Sequence, residues 1–204
     1  MIGVIGPLVQ GKRELRGSIG SVAVFGLGAV AGALVTGSVL GVVGGAVQSL
    51  AGERVLAVAV GAAGCVLLLA DLGFLGLRTP TLRRQTGSTW YRKRGARAAW
   101  LLWGIDLGLG FSTIRLSSLY WLMVLFVVAF VSPVLAPVAL AFYGLGLGVA
   151  FAAAVIALTW RVSRGTGSPG LGLLRAAGTV RLASDALLGL ASITIVLAWG
   201  SPWW

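Results

Sequence analysis

Two long stretches of this chain, Ile19 to Leu50 and Leu116 to Trp160, contain no charged residue at all. A helix rises about 1.5 Å per residue, so about 20 apolar residues cross a hydrocarbon core about 30 Å thick. Each stretch exceeds one such span. A soluble surface needs charges, ordinarily on about a quarter of the residues. Here 10% are charged and 58% hydrophobic. The pattern predicts an all-α, polytopic membrane helical bundle of about six membrane segments, with room for one broken or re-entrant segment. Residues 1–204 are read as a single integral membrane domain.

The formal net charge of +11 does not point to nucleic acid. The basic residues form no face on a folded domain and sit between the apolar runs. That placement is what the positive-inside rule expects of cytoplasmic loops. Three regions carry them. Residues 1–18 hold Lys12, Arg13 and Arg16 beside Glu14. Residues 78–97 hold Arg78, Arg83, Arg84, Arg92, Lys93, Arg94 and Arg97, with no acid. Residues 161–181 hold Arg161, Arg164, Arg175 and Arg181. All three are expected on the cytoplasmic side of a bacterial inner membrane, the excess of Arg over Lys fitting a GC-rich genome. Basic residues there are read as contacts to anionic lipid headgroups, each worth about 1 kcal/mol near the surface, or as markers of topology alone. A membrane-protein partner or a second copy of the chain is a further expectation.

There is one cysteine, Cys65, and no histidine. No internal disulfide can form, and Cys65 in an apolar run reads as a small hydrophobe. The five carboxylates are scattered, so no metal site or cofactor is expected. No acid/base dyad is visible, so the chain is not expected to be an enzyme. The first 18 residues place an apolar patch before the charges, the reverse of a secretory signal.

The first segment, about 19–47, is rich in glycine. It reads either as one long tilted helix packed closely on a neighbour or as a helix broken near Thr36-Gly37-Ser38. A second segment runs from Val55 to Leu77, with Asp71 late in it. A third, Ala98 to Leu116, is short and the most polar. Leu119 to Trp160 reads as two helices separated at Ser132, Pro133 and Pro137. A sixth covers about 182–200, with Asp185 in its first turn, where the helix dipole favours a carboxylate. Trp203 and Trp204 suit an interface. Placing 78–97 and 161–181 on one side requires an even number of crossings between them, whereas this reading offers three segments.

The third segment carries the strongest local signal, Gly104-Ile-Asp106-Leu-Gly108-Leu-Gly110-Phe-Ser112-Thr113-Ile-Arg115. A charge at the centre of a spanning helix costs about 2.5–3.5 kcal/mol on insertion scales. Asp106 and Arg115, nine residues apart, lie on opposite faces of an unbroken helix. A break at Gly108 to Gly110 would let them converge on a pocket with Ser112 and Thr113. These four residues are the candidate substrate-binding set. The alternative is structural, with Asp106 bonding another helix and Arg115 reaching the headgroups. Asp71 is read as half of an ion pair, with Arg78 or the basic loop, or as a gating group.

The Gly-rich opening, the basic central loop and the second Gly-rich segment beginning Trp103-Gly-Ile-Asp-Leu-Gly-Leu-Gly-Phe-Ser-Thr-Ile resemble the transmembrane domain of the thiol-disulfide carriers of cytochrome c biogenesis. The resemblance spans about residues 19–160 and rests on pattern. It implies two three-helix repeats, each opening with a broken helix, the first near Thr36 to Ser38 and the second near Ser112 and Thr113. The family's redox cysteines and flanking prolines have no counterpart at these positions, and Cys65 lies in a different segment. Electron transfer by a cysteine pair is therefore not implied. A central transport cavity, or a redox-inert subunit of such machinery, is.

Overall fold

The computed structural model describes residues 15–74, 95–110, 118–163 and 186–194. Among these residues the chain is all helical. The helices are α1 (Leu15–Leu50), α2 (Glu53–Asp71), α3 (Ala96–Leu109), α4 (Leu119–Phe130), α5 (Ala136–Ser163) and α6 (186–194). Three of them are long and apolar enough to cross a membrane: α1 over Gly20–Leu50, α2, and α5 over Ala136–Ala153. Two others, α3 and α4, are short. With 14 and 12 residues, α3 and α4 reach about 21 and 18 Å, less than the hydrocarbon core.

α1 is unbroken through Thr36, Gly37 and Ser38. In an apolar surrounding every backbone N–H and C=O needs a partner, and an unbroken helix supplies them all. This outweighs the poor helix propensity of its glycines. Gly52 and its neighbour Ala51 separate α1 from α2. α2 closes at Asp71, earlier than the sequence suggests, and a turn with Gly73 at φ 73° follows. α5 begins at Ala136, just past Ser132 and Pro133.

The chain forms two compact units, and α1 contributes to both. Unit 1 takes residues 1–37, 82–113 and 138–173. In it Gly28 lies against Leu101, Gly104 and Ile105, and Gly32 against Ile105, Gly108 and Leu109, so α1 and α3 run parallel. Gly26 faces Gly148, and Ala29 and Val30 face Gly144, so α5 runs antiparallel to α1. The pairs 28/32, 104/108 and 144/148 are each two glycines four apart, the spacing that lets membrane helices approach to backbone contact. A Cβ on Gly104 would overlap the Phe25 carbonyl oxygen and one on Gly108 that of Ala29. On Gly144 it would stand 2.7 Å from the Ala29 oxygen. An aromatic cluster closes one end of the seam. Phe25 and Phe151 have ring centroids 4.2 Å apart, and Trp100 and Trp103 meet edge to face at 4.9 Å.

Unit 2 takes residues 38–81, 114–137 and 174–204. Its core is aliphatic: Leu56, Val60, Leu122, Ala129 and Leu188. Gly64 faces Leu122 and Asp71 bonds Ser118, so α2 and α4 are antiparallel. Gly64 also faces Ser192, and Leu68 faces Gly189, so α6 is antiparallel to α2.

These directions set which helix ends lie together in each unit. In unit 1 the starts of α1 and α3 and the close of α5 lie together. In unit 2 the close of α2 and the starts of α4 and α6 lie together. Most of the basic residues lie in the sequences between the described helices, outside the described residues. At the opposite end of unit 2 attach 51–52 and 131–135, which carry no charge.

Candidate functional site

The ends of the two short helices are where polar side chains of other helices gather. A helix leaves its last carbonyls and first amides without intrahelical partners. In a hydrocarbon setting those groups need side chains or water.

α3 stops at Leu109 because Gly110 adopts the left-handed conformation, φ 77° and ψ −12°, which glycine alone enters without steric cost. The Gly110 N–H donates to Leu107 O at 3.1 Å. The Leu109 carbonyl accepts the Thr36 hydroxyl at 3.0 Å. Thr36 is buried on α1, so the hydroxyl once read as a sign of a break in α1 instead caps the end of α3.

At the start of α4, Ser118 occupies the N-cap but does not cap the helix with its own hydroxyl. It donates its N–H to Asp71 Oδ2 at 2.6 Å and its hydroxyl to Asp71 Oδ1 at 2.7 Å. Asp71, the last residue of α2, is 3% exposed. A carboxylate here meets the positive end of the α4 dipole and engages an amide and a hydroxyl together. At the other end of α4, Gln48 Nε2 donates to Val128 O at 2.9 Å and to Val131 O at 3.1 Å. α4 is thus capped from α2 at its start and from α1 at its close.

Of the candidates read from sequence, Asp71 sits in a buried bonded position, and its partner is Ser118. Arg78 lies outside the described residues. Asp106 is on α3, half-buried. It is two residues from both Gly104 and Gly108, so it falls on the side of α3 away from the glycine seam with α1. Ser112, Thr113 and Arg115 lie outside the described residues, as does Asp185. α3 closes at Gly110, within the stretch Gly108 to Gly110. Cys65 is exposed on α2. The buried Trp103 Nε1 has no hydrogen-bond partner among the described residues. No group of three or more His, Cys, Asp and Glu that could hold a metal occurs among the described residues.

Sequence reasoning did not name Ser118 or Gln48. Ser118 carried a readable signal, a serine directly before the apolar run Leu119-Tyr-Trp-Leu, the usual mark of a helix start. Gln48 carried none, because its role depends on which carbonyls the fold brings beside it. Comparison of the chain with known protein families, with curated proteins and with solved structures finds no match.

Proposed function

We propose that this chain is a small permease-like transporter of a bacterial cytoplasmic membrane, with its N-terminus and its basic connections on the cytoplasmic side. The observation that carries the reading is the close of α3 at Gly110 after 14 residues, too few to cross a bilayer in one helix. Discontinuous helices in small transporters present freed backbone groups to substrates and ions near the middle of the bilayer. Crossing parity supports it. Basic loops 78–97 and 161–181 on one side require an even number of crossings between them. α5 supplies one, and the other falls within 98–130, where neither helix alone is long enough. α3, closing at Gly110, is then read as the re-entrant segment. The substrate site is assigned to Asp106 with Ser112, Thr113 and Arg115. Asp71 acts as a brace or gate at the start of α4.

The test is flux through proteoliposomes. A trapped pH-sensitive dye reports protons, and shrink–swell light scattering reports small osmolytes. The wild-type chain is expected to raise permeability above protein-free vesicles for at least one probe, and Asp106→Asn to abolish the increase. Unchanged flux in Asp106→Asn, or none in the wild type, counts against the reading.

A second reading is supported by α5. Its outward face carries Phe142, Leu145, Val149 and Ile156 together with the exposed small residues Gly146 and Ala150, a surface on which another membrane helix packs well. Under this reading the chain is an accessory subunit of a larger membrane complex, redox or cytochrome maturation machinery included. Co-purification of a stoichiometric larger partner after mild detergent extraction supports it.

A further inference from the structure

Trp103 brings a hydrogen-bond donor into the interior of unit 1. Its side chain is 4% exposed, and its Nε1–H meets no acceptor among the described residues. An indole N–H only donates, and a buried donor without an acceptor loses its hydration for nothing in return. The ring itself is accounted for. It packs edge to face on Trp100 and belongs to the cluster with Phe25 and Phe151. An apolar ring would serve that packing without a donor, so the packing does not explain the N–H.

The place of Trp103 on α3 sets what stands beside it. Gly104 and Gly108 face α1. At about 100° per residue, Trp103 stands about 120° from the middle of that seam and Asp106 about 180° from it. The two are therefore neighbours on the far side of α3, with Cβ atoms about 5–6 Å apart. Helical side chains lean toward the N-terminus, which carries Trp103 toward Trp100 and Asp106 back over the turn of Trp103. Asp106, Ile105 and Leu107 are half-buried, so this strip is closed at Trp103 and partly open at Asp106. Asp106 has other interactions, but an ionised carboxylate has about four acceptor positions and takes a further bond readily.

A donor and a carboxylate side by side select the chemistry of what is held between them. A cation gains nothing from an N–H, and an anion is repelled by the carboxylate. A hydroxyl satisfies both, its oxygen accepting from the indole and its hydrogen donating to the carboxylate. We propose that Trp103 and Asp106 form one site for a neutral hydroxyl group, of water or of a small polyol, and that Trp103 sets the specificity of the transport site. The role in transport rests on the function proposed above; the hydroxyl on the indole does not.

The test reads the indole first and flux second. The full chain in detergent micelles is isotopically labelled at its indole nitrogens, and the Trp103 resonance is assigned by its loss in Trp103→Phe. Replacement of Trp103 by benzothienylalanine, which keeps the fused rings and lacks the N–H, assigns it should Trp103→Phe fail to fold. The Trp103 Nε1–H is expected to show a cross-peak to water that declines as glycerol is added and is unaffected by ethylammonium or acetate. Asp106→Ala is expected to raise the glycerol concentration for half-displacement about tenfold, the low end for a hydrogen bond to a charged group. In proteoliposomes benzothienylalanine at this position is expected to slow glycerol entry about fivefold, the usual worth of one neutral hydrogen bond. A water cross-peak that glycerol leaves in place assigns the site to water, and osmotic shrinkage is then the rate that benzothienylalanine slows. A resonance without a water cross-peak, or displacement by ethylammonium or acetate as effective as by glycerol, overturns the proposal. Absence of flux in the wild type defeats the transport reading alone, and the indole spectrum still decides the site.

Discussion

The two units solve the same problem with different materials. In unit 1 the helices approach so closely that glycine hydrogens stand where side chains would be, and carbonyls of the neighbouring helix fill the space. In unit 2 Gly41 and Gly44 of α1 also lie against the Pro133 and Val128 carbonyls, but the core is made by aliphatic side chains, and buried polar groups close the ends of α4. The difference shows two ways to satisfy backbone groups and packing between apolar helices. Close glycine seams gain dispersion over long backbone contacts. Capped short helices instead draw on a few strong hydrogen bonds whose loss leaves orphaned groups. Unit 1, with glycine seams on both α3 and α5, is therefore expected to be the less tolerant of added volume, and unit 2, with both ends of α4 closed by side chains, the less tolerant of lost polarity.

The largest effect is expected from Gly108→Val. Its Cβ would overlap the Ala29 carbonyl oxygen, and backbone cannot swing aside as a side-chain tip can. A destabilisation of about 3 kcal/mol or more follows, seen as loss of a monodisperse species on detergent gel filtration. Gly146→Val is the control, since nothing lies within 4 Å of a Cβ there. Equal tolerance of both variants would remove the seam from the account of unit 1.

Next comes Asp71→Ala. It leaves the Ser118 N–H and hydroxyl without their acceptor in a buried place, at a cost of about 2–3 kcal/mol. Thermal unfolding in detergent measures it. Asp71→Asn keeps one acceptor and is expected to recover part of the loss. If Ala and Asn behave alike, the acceptor role is wrong.

Gln48→Leu removes the donor shared by Val128 O and Val131 O. The expected cost is about 1 kcal/mol, since carbonyls tolerate under-satisfaction better than amides. Thr36→Val, nearly isosteric, removes one bond to Leu109 O and is expected to cost about 0.6 kcal/mol, the average for interhelical hydrogen bonds in membranes. A larger effect for Thr36 than for Asp71 would reverse the contrast between the units. The smallest effect is for Cys65→Ser, within about 0.5 kcal/mol, because the thiol is exposed on α2. In intact vesicles a membrane-impermeant maleimide is expected to leave Cys65 unmodified. Rapid labelling would place that face of α2 in water.

The positions of the helices were legible in the sequence to a useful degree. The uncharged runs announced α1, α4 and α5, and Ser132 with Pro133 announced the gap before Ala136. The glycine content of the first segment left two readings open, an unbroken helix or a break. Local sequence cannot choose between them, because the same glycines serve a bend or a close approach. The partner decides, and here α3 and α5 lie against Gly28, Gly32 and Gly26. Of the candidate site, a helix end near Gly110 and a bonded role for Asp71 were legible, though not that Ser118 is a partner. A carboxylate in an apolar run and three glycines within seven residues, at 104, 108 and 110, stand out. Ser118, Gln48 and the capping role of Thr36 were not, since each depends on a group distant in sequence.

The sequence by itself determined that this chain is helical, that its helices are apolar enough for lipid, and where its positive charge falls between them. Those properties follow from composition along a line, where hydropathy and charge need no partner to have meaning. Only the tertiary structure decided which glycines face which carbonyls, that α1 and α3 run parallel, and that Asp71 and Gln48 close the two ends of α4. Helix direction and hydrogen-bond pairing are relations between distant residues, and a packed arrangement of helices is what brings those residues within a few ångströms of each other.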